Sequence, residues 1–129
     1  MNEEVDRKET IVAGLFDLRR SAETPSLWGR WGTPCYRVYA ADSRYYPLWH
    51  PYSNPGQAIT TLKYVCDKFN KDKETAEEKI YWDLSYDGVD YTFHLYCPKP
   101  APLTLGGIGP NPAITIVNVL CRAQEEGVL

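Results

Sequence analysis

Apolar and polar residues alternate along residues 80–96, on both sides of an Asp87-Gly88 dipeptide. Such alternation is typical of strands with one buried face, and Asp-Gly favours a two-residue hairpin turn of type I′. A turn centred on this dipeptide predicts four apolar or aromatic cross-strand pairs, which are Tyr86–Val89, Leu84–Tyr91, Trp82–Phe93 and Ile80–Leu95. The opposite face of the hairpin is expected to carry Tyr81, Asp83, Ser85, Asp90, Thr92, His94 and Tyr96.

A second hairpin is predicted from a less regular pattern at residues 35–49. Its turn is expected at Asp42-Ser43, with cross-strand pairs Ala40–Tyr45 and Tyr36–Trp49. Because Pro47 has no backbone N–H group to donate, the second strand should be irregular or lie at a sheet edge. The opposite face would show Arg37, Tyr39, Arg44 and Tyr46.

Each predicted hairpin is followed by a segment that begins with Asn-Pro, and the two segments have similar sequences. Residues 58–66 and 113–121 are identical at four of nine aligned positions. Asn is a favoured helix N-cap and Pro a favoured first helical residue, so both segments are predicted helices. The β-branched residues of the second would also suit a strand, whereas its caps and its apolar stripe favour a helix. The stripes are Ile59, Leu62, Cys66 and Phe69 in the first segment, and Ile114, Val117, Leu120 and Cys121 in the second.

Two further residues refine the helix ends. Gln57 stands where the partner in a capping box would reach back to the start of the first helix. Gly127 is expected to end the second helix.

These elements predict a single α+β domain over residues 1–129. It comprises an N-terminal helix (1–24), a first strand-strand-helix unit (25–70) and a second such unit (79–127). The expected sheet has four antiparallel strands, with both later helices on one face. Residues 70–78 and the Pro- and Gly-rich residues 99–110 are expected to be loops. The apolar side of the N-terminal helix is expected to consist of Val5, Ile11, Val12, Leu15, Phe16 and Leu18.

Composition excludes several classes of protein. The chain has 129 residues, of which 43% are hydrophobic. Its formal net charge is −3, so the chain lacks the overall positive charge that would indicate nucleic-acid binding. No apolar run approaches the roughly 20 residues of a membrane span. The first ten residues are charged and lack a signal-peptide core. A cytoplasmic protein that does not contact membranes is therefore expected.

No two of the four cysteines form a C-x-x-C pair, and the chain has only two histidines that could bind a metal ion together with them. Free thiols and no metal or cofactor are therefore expected. The chain has no G-x-S-x-G, H-E-x-x-H, P-loop or Rossmann motif, and residues 106–109 are interpreted as a flexible Gly-rich loop. A non-enzymatic protein is predicted, and an unrecognised active site around His94, Asp83 and Tyr81 is the alternative.

Aromatic residues are in excess, with four Trp and ten Tyr, and charge is unevenly distributed. Trp28 and Trp31 lie in a Gly-containing linker, where they would either bind a ligand or cover the end of the sheet. Residues 19–44 carry five Arg against two acids, a local charge of +3. Residues 67–90 carry four Lys against eight acids, a local charge of −4.

The order of these parts resembles the small-RNA-binding silencing suppressors of tombusviruses and their shorter aureusvirus relatives. The matching features are PSLWGRW at residues 25–31, the Asp87-Gly88 hairpin, and a last helix that ends Leu-Cys-Arg at residues 120–122. The resemblance spans about 100 residues and is mostly an order of elements.

The resemblance implies a homodimer that sequesters duplex small RNA in the host cytoplasm, through phosphates and 2′-hydroxyls and without reading sequence. Trp28 and Trp31 match by spacing the family's pair that stacks on duplex ends. Arg30 lies between them. The strand pattern, rather than a family motif, adds Arg37, Arg44, Ser85 and Thr92 to the expected RNA-binding residues.

Two departures from the family weaken this interpretation. The longer family segment between the Trp pair and the first strand is missing, and Asp83 and Asp90 would face the phosphates.

The dipeptides Trp28-Gly29 and Trp31-Gly32 could also bind a host protein of the Argonaute class.

An alternative function is a small acidic inhibitor or immunity-type module. Its acidic side chains would imitate nucleic acid toward a basic partner protein, and its surplus Tyr and Trp would anchor the complex.

Overall fold

A computed structural model describes residues 3–16, 18–21, 35–38, 45–46, 50–98 and 102–129. The fold is α+β, as predicted, with antiparallel sheets and helices. The strands are β1 (Leu18–Ser21), β2 (Cys35–Val38), β3 (Tyr45–Tyr46), β4 (Tyr81–Tyr86), β5 (Tyr91–Cys97) and β6 (Leu103–Gly109). The helices are α1 (Glu3–Leu15), α2 (Pro55–Asn70) and α3 (Pro112–Glu125), with a short 3-10 turn at Ala76–Glu78.

In the described residues, the strands form two three-stranded antiparallel sheets, β1-β2-β3 and β4-β5-β6, instead of one four-stranded sheet. The difference in the second sheet comes from β6, which occupies residues predicted to be a loop. Leu105 of this strand points into the core and Ile108 is exposed on the other face. The alternation is hidden in the sequence by three glycines, which have no side chain to mark a face.

The register of the second hairpin also differs from the prediction. Tyr86 pairs with Tyr91 and not with Val89, so Gly88 and Val89 are the central residues of the turn. The Asp87 carboxylate accepts hydrogen bonds from the backbone N–H groups of Asp90 (2.8 Å) and Val89 (2.9 Å). These bonds hold the pKa of Asp87 below its usual value and favour this turn. Because the shift is two residues, every side chain keeps its predicted face.

The first sheet differs from the prediction in two further respects. The N-terminal helix ends at Leu15, not near residue 24, and residues 18–21 form β1, which pairs with β2. In the predicted hairpin, Tyr36 pairs with Tyr46 instead of Trp49, a shift of three residues. Arg37, a predicted RNA-binding residue, stands opposite Arg19 on β1 and Tyr45 on β3.

Both Asn-Pro helix starts are confirmed. Asn54 accepts a hydrogen bond from the Gln57 N–H group at 3.2 Å. Asn111 accepts one from the Ala113 N–H group at 2.9 Å, and a proline follows each cap. Gln57 does reach back, but it accepts from the His50 N–H group (2.8 Å) instead of bonding its own N-cap. It thereby fixes the chain that leads into α2.

Helix α3 lies at the centre of the core. Its buried residues occupy nearly every side of the helix and not only the predicted stripe, and they include Ala113, Thr115, Ile116, Val117, Val119, Leu120, Cys121 and Ala123. One side packs on β5 and β6, while α1 and α2 pack against others. Among the described helices, only α3 packs extensively on the sheet β4-β5-β6, in contrast to the prediction that both later helices would do so.

Helix α1 is attached to this core through polar contacts as well as through buried Val12, Ala13 and Phe16. Glu9 is only 8% exposed, and its side chain accepts a hydrogen bond from the Tyr52 N–H group at 3.2 Å. Lys8 donates to Asn118 of α3 at 2.8 Å. No described helix is long and apolar enough to cross a membrane.

A single side chain connects the end of α2 to the start of β4. The Asn70 amide donates to the Ile80 carbonyl (2.9 Å) and accepts from the Ile80 N–H group (2.8 Å). Ile80 is buried, so an alanine at position 70 would leave both backbone groups without these partners. We expect Asn70→Ala to reduce the free energy of unfolding by about 2 kcal/mol in urea titrations.

Lys71→Ala is the matched control, because this neighbouring side chain is exposed. Its effect should stay within about 0.5 kcal/mol. Equal effects of the two substitutions would show that the amide bridge contributes nothing to stability.

Gly127 ends α3, as predicted, with a φ of 78°. Its N–H group bonds the Gln124 carbonyl, and the Val128 N–H group bonds that of Ala123, the two bonds of a Schellman motif. Gly127→Ala should cost about 1 kcal/mol, because this backbone conformation is strained for a residue with a Cβ. Gly14→Ala, in α1 with open space around its Cβ, should instead stabilise by about 0.5 kcal/mol. Thermal unfolding of both variants checks the opposite signs.

Candidate ligand-binding face

The sheet β4-β5-β6 has one face against α3 and one that no described element covers; we call the second the open face. Opposite residues in an antiparallel sheet share a face, so the register defines three rows across it. These rows are Tyr81–Tyr96–Thr104, Asp83–His94–Gly106 and Ser85–Thr92–Ile108. The predicted division of the hairpin into an apolar face and a mixed face is therefore confirmed for these residues.

Asp83 is the centre of a hydrogen-bonded group on the open face. One carboxylate oxygen accepts from the Tyr96 hydroxyl at 2.9 Å, and the other lies 3.3 Å from Nδ1 of His94. The Tyr96 ring stacks on Tyr81, with ring centroids 4.5 Å apart and planes at 17°. The hydrogen bond to Asp83 raises the pKa of the Tyr96 phenol, because the carboxylate stabilises the neutral phenol and repels a phenolate.

Gly106 leaves room for the His94 ring. A Cβ at position 106 would lie 3.0 Å from Cδ2 of His94 and 3.4 Å from its Nε2. Any other residue would therefore push the imidazole away from its present position. No sequence pattern predicts this contact, because the Pro- and Gly-rich residues 99–110 are typical of a loop.

Of the predicted RNA-binding residues, the structure brings Ser85 and Thr92 together as a cross-strand pair. Ser85 is exposed and Thr92 half-buried, next to exposed Ile108. The Arg37 backbone belongs to the other sheet. Trp28, Arg30, Trp31 and Arg44 lie outside the described residues. Within the three rows of the open face there is no Lys or Arg, while Asp83 contributes one negative charge.

A cleft of about 500 Å³ adjoins the first of these rows. Its walls include the stacked Tyr81 and Tyr96, the Lys79 side chain, and two prolines at positions 98 and 102. A smaller cleft of about 290 Å³ lies between β6 and α3. Residues of β6 line both clefts, so neither cleft can be predicted from the sequence without this strand.

Arg122 covers part of the edge of β6 that no described strand pairs with. Its guanidinium donates to the Gly106 carbonyl at 3.1 Å, across from α3. One outward-facing acceptor of the edge strand is thereby satisfied. In the sequence, Arg122 stands out only as part of the Leu-Cys-Arg motif at the end of the last helix.

The described thiols are poorly suited to chemistry. Cys66, Cys97 and Cys121 are buried and free. Burial raises the pKa of Cys66 to about 12 and that of Cys121 to about 11, so both thiols stay protonated at neutral pH. Among the residues that the structure describes, no group of three or more His, Cys, Asp or Glu side chains could hold a metal ion. Compared with these thiols, the side chains of the open face are better suited to contact a ligand, because they can form hydrogen bonds with it.

Comparisons with known proteins identify no relative: no family model, no curated protein and no solved structure matches this chain.

The interaction of Asp83 with Tyr96 can be tested by titration. Asp83→Asn removes the negative charge that opposes ionisation of the phenol, so the pKa of Tyr96 should fall toward the ordinary tyrosine value near 10. Tyrosine ring carbon NMR, followed between pH 8 and 11.5, measures this change. Asp90→Asn, on the same hairpin, should leave the Tyr96 titration unchanged. An unchanged Tyr96 titration in Asp83→Asn would contradict the geometry.

Proposed function

We propose that this protein binds duplex small RNA without reading its sequence and acts as a viral suppressor of RNA silencing in the host cytoplasm. It does so without catalysing a reaction and without a cofactor. The observation that carries the proposal is the open face, a sheet surface that none of the described helices covers, with hydroxyl groups in two of its three rows. Ser85, Thr92, Thr104, Tyr81 and Tyr96 contribute them.

This chemistry suits A-form RNA. Its wide, shallow minor groove displays 2′-hydroxyls, and proteins recognise it by shape together with contacts to those hydroxyls and to phosphates. Serine and threonine hydroxyls can both donate and accept, so each can bond a 2′-hydroxyl or a phosphate oxygen. The open face would contact the duplex through such bonds, which do not depend on base sequence.

Most of the positive charge must come from elsewhere, because the three rows contain no Lys or Arg. The Arg-rich residues 19–44 are the candidate source, and Arg30, Arg37 and Arg44 are assigned to phosphates. Trp28 and Trp31 are assigned to stacking at the duplex ends, where they would limit the accepted length. Their Trp-Gly dipeptides would also serve for an Argonaute-class host partner.

A homodimer fits the same proposal. A single open face is only three strands wide, and joining two copies would double the surface presented to a duplex of about two helical turns. The free edge of β6 has backbone groups that a second strand could pair with, apart from the Gly106 carbonyl that Arg122 occupies. This would extend the sheet between two protomers.

A second candidate function is supported by a different observation. Asp83, Asp87 and Asp90 lie on one hairpin, and its tip exposes Val89 (74%) and Tyr86 (58%). Acidic groups around an exposed apolar tip are suited to a basic partner protein. Such a surface would suit an inhibitor or immunity-type module, a function that predicts a tight complex with one protein and no RNA binding.

The deciding experiment is a titration of the purified protein against a 21-base-pair RNA duplex with two-base overhangs, a single strand and a DNA duplex. We expect binding to the RNA duplex alone, independent of its sequence and weaker as salt increases, because phosphate contacts release counterions. The combined change Ser85→Ala with Thr92→Val should weaken binding about 5- to 20-fold, through the loss of two hydrogen bonds.

The chain offers a matched control in Ser53→Ala with Thr60→Val, two exposed residues on the helical side of the molecule. This variant should bind RNA like the unaltered protein. Equal binding of RNA and DNA duplexes would exclude a role for the 2′-hydroxyls. Absence of binding to all three nucleic acids at low salt would reject RNA as the ligand and favour the acidic protein-binding module.

A further inference from the structure

The His94 ring has a defined orientation and hence a defined proton arrangement. Its Nδ1 lies 3.3 Å from a carboxylate oxygen of Asp83. An ionised carboxylate only accepts hydrogen bonds, so Nδ1 must carry the proton of this contact. In the neutral ring, Nε2 then holds a lone pair and is an acceptor.

The imidazole of His94 is partly exposed on the open face, with 39% of the side chain accessible to solvent. The residue opposite His94 is Gly106, and a Cβ there would come within 3.4 Å of Nε2. Because glycine has no side chain, none at this position covers the nitrogen. Arg122 donates to the Gly106 carbonyl at 3.1 Å, so this carbonyl already has a donor.

The charged and titratable groups around the ring belong to β4, β5 and α3. Strand β4 contributes Asp83 and Tyr81, and β5 contributes Tyr96, whose hydroxyl donates to Asp83. Strand β6 contributes none at its open-face positions, and α3 contributes Arg122 at the edge. Protonated His94 is thus the only cation in the three rows of the open face.

We propose that His94 binds an RNA phosphate on the open face, and that it does so only in its doubly protonated form. This inference rests on the proposed RNA-binding function. A nonbridging phosphate oxygen accepts hydrogen bonds and donates none, so it cannot bond the lone pair on Nε2. Upon binding, Nε2 takes up one proton from solvent and keeps it. The resulting Nε2–H group donates a hydrogen bond to the phosphate oxygen, while the Nδ1–H group keeps its hydrogen bond to Asp83.

The sign of the pH dependence follows from this proton uptake. Wherever His94 is neutral in the free protein, RNA binding takes up one proton per engaged His94, so affinity rises as pH falls. Histidine is the side chain whose charge ordinarily changes between pH 5 and 8. A 2′-hydroxyl would give the opposite trend, because it can donate to the neutral Nε2 and would lose that acceptor at low pH.

The test is the dissociation constant of the 21-base-pair RNA duplex at pH 5.5, 6.5, 7.5 and 8.5, at constant ionic strength. For the unaltered protein we expect about 5- to 10-fold tighter binding at pH 5.5 than at pH 8.5. His94→Gln should bind RNA with nearly the same affinity at all four values. Gly106→Ala should also lose most of the dependence, because its methyl group displaces the imidazole.

The second histidine supplies a matched control. His50 also faces a carboxylate, with Nδ1 3.4 Å from Glu9, but it lies among the helices and not on the open face. His50→Gln should therefore keep the full pH dependence. Equal dependence in His94→Gln and the unaltered protein would overturn the inference, and so would tighter binding at high pH. In both cases RNA binding itself would persist, whereas absence of binding at every pH would reject the proposed function together with the inference.

Discussion

The burial of helix α3 on nearly all sides is the constraint on which the rest of the structure depends. Ile116, Val117 and Leu120 are fully buried, and each such side chain contributes about 1.5–3 kcal/mol relative to exposure. A helix with so few polar sides needs a partner in several directions. The sheet supplies one, and α1 and α2 supply the others.

Close approach of α3 to the sheet explains one of the glycines in β6. A Cβ at Gly107 would lie 3.2 Å from side-chain carbons of both Thr115 and Val119, so this position keeps the helix near the strand. The neighbouring Gly106 faces the other way and makes room for the His94 ring. Two consecutive glycines thus serve opposite faces of one strand, the first for the open face and the second for the core.

The open face follows from the same packing. Because helix α3 occupies one side of the sheet and the other helices pack against it, no described helix remains to cover the second side. Three of the side chains there bond one another across the strands, since Asp83 contacts both His94 and Tyr96. The result is an ordered polar and aromatic surface with few charges, suited to hydrogen bonding and stacking.

Some features could be predicted from local chemistry alone. The caps at Asn54 and Asn111 depend on residues within three positions, and the faces of the hairpin depend only on parity along the strands. The exact pairing did not follow, because the Asp87 side chain bonds two backbone N–H groups and moves the turn onward by one residue. Strand β6 could not be predicted either, since its glycines interrupt the alternation of apolar and polar side chains.

The sequence by itself determined the α+β class, both capped helices, the end of α3 at Gly127 and which hairpin residues share the open face. These are properties of neighbouring residues and of side-chain periodicity. Only the tertiary structure decided that α3 is the central helix, that β6 completes the sheet, and that Gly106 lies beneath His94. Those contacts join residues distant in sequence, and their partners are selected by the space that packing leaves.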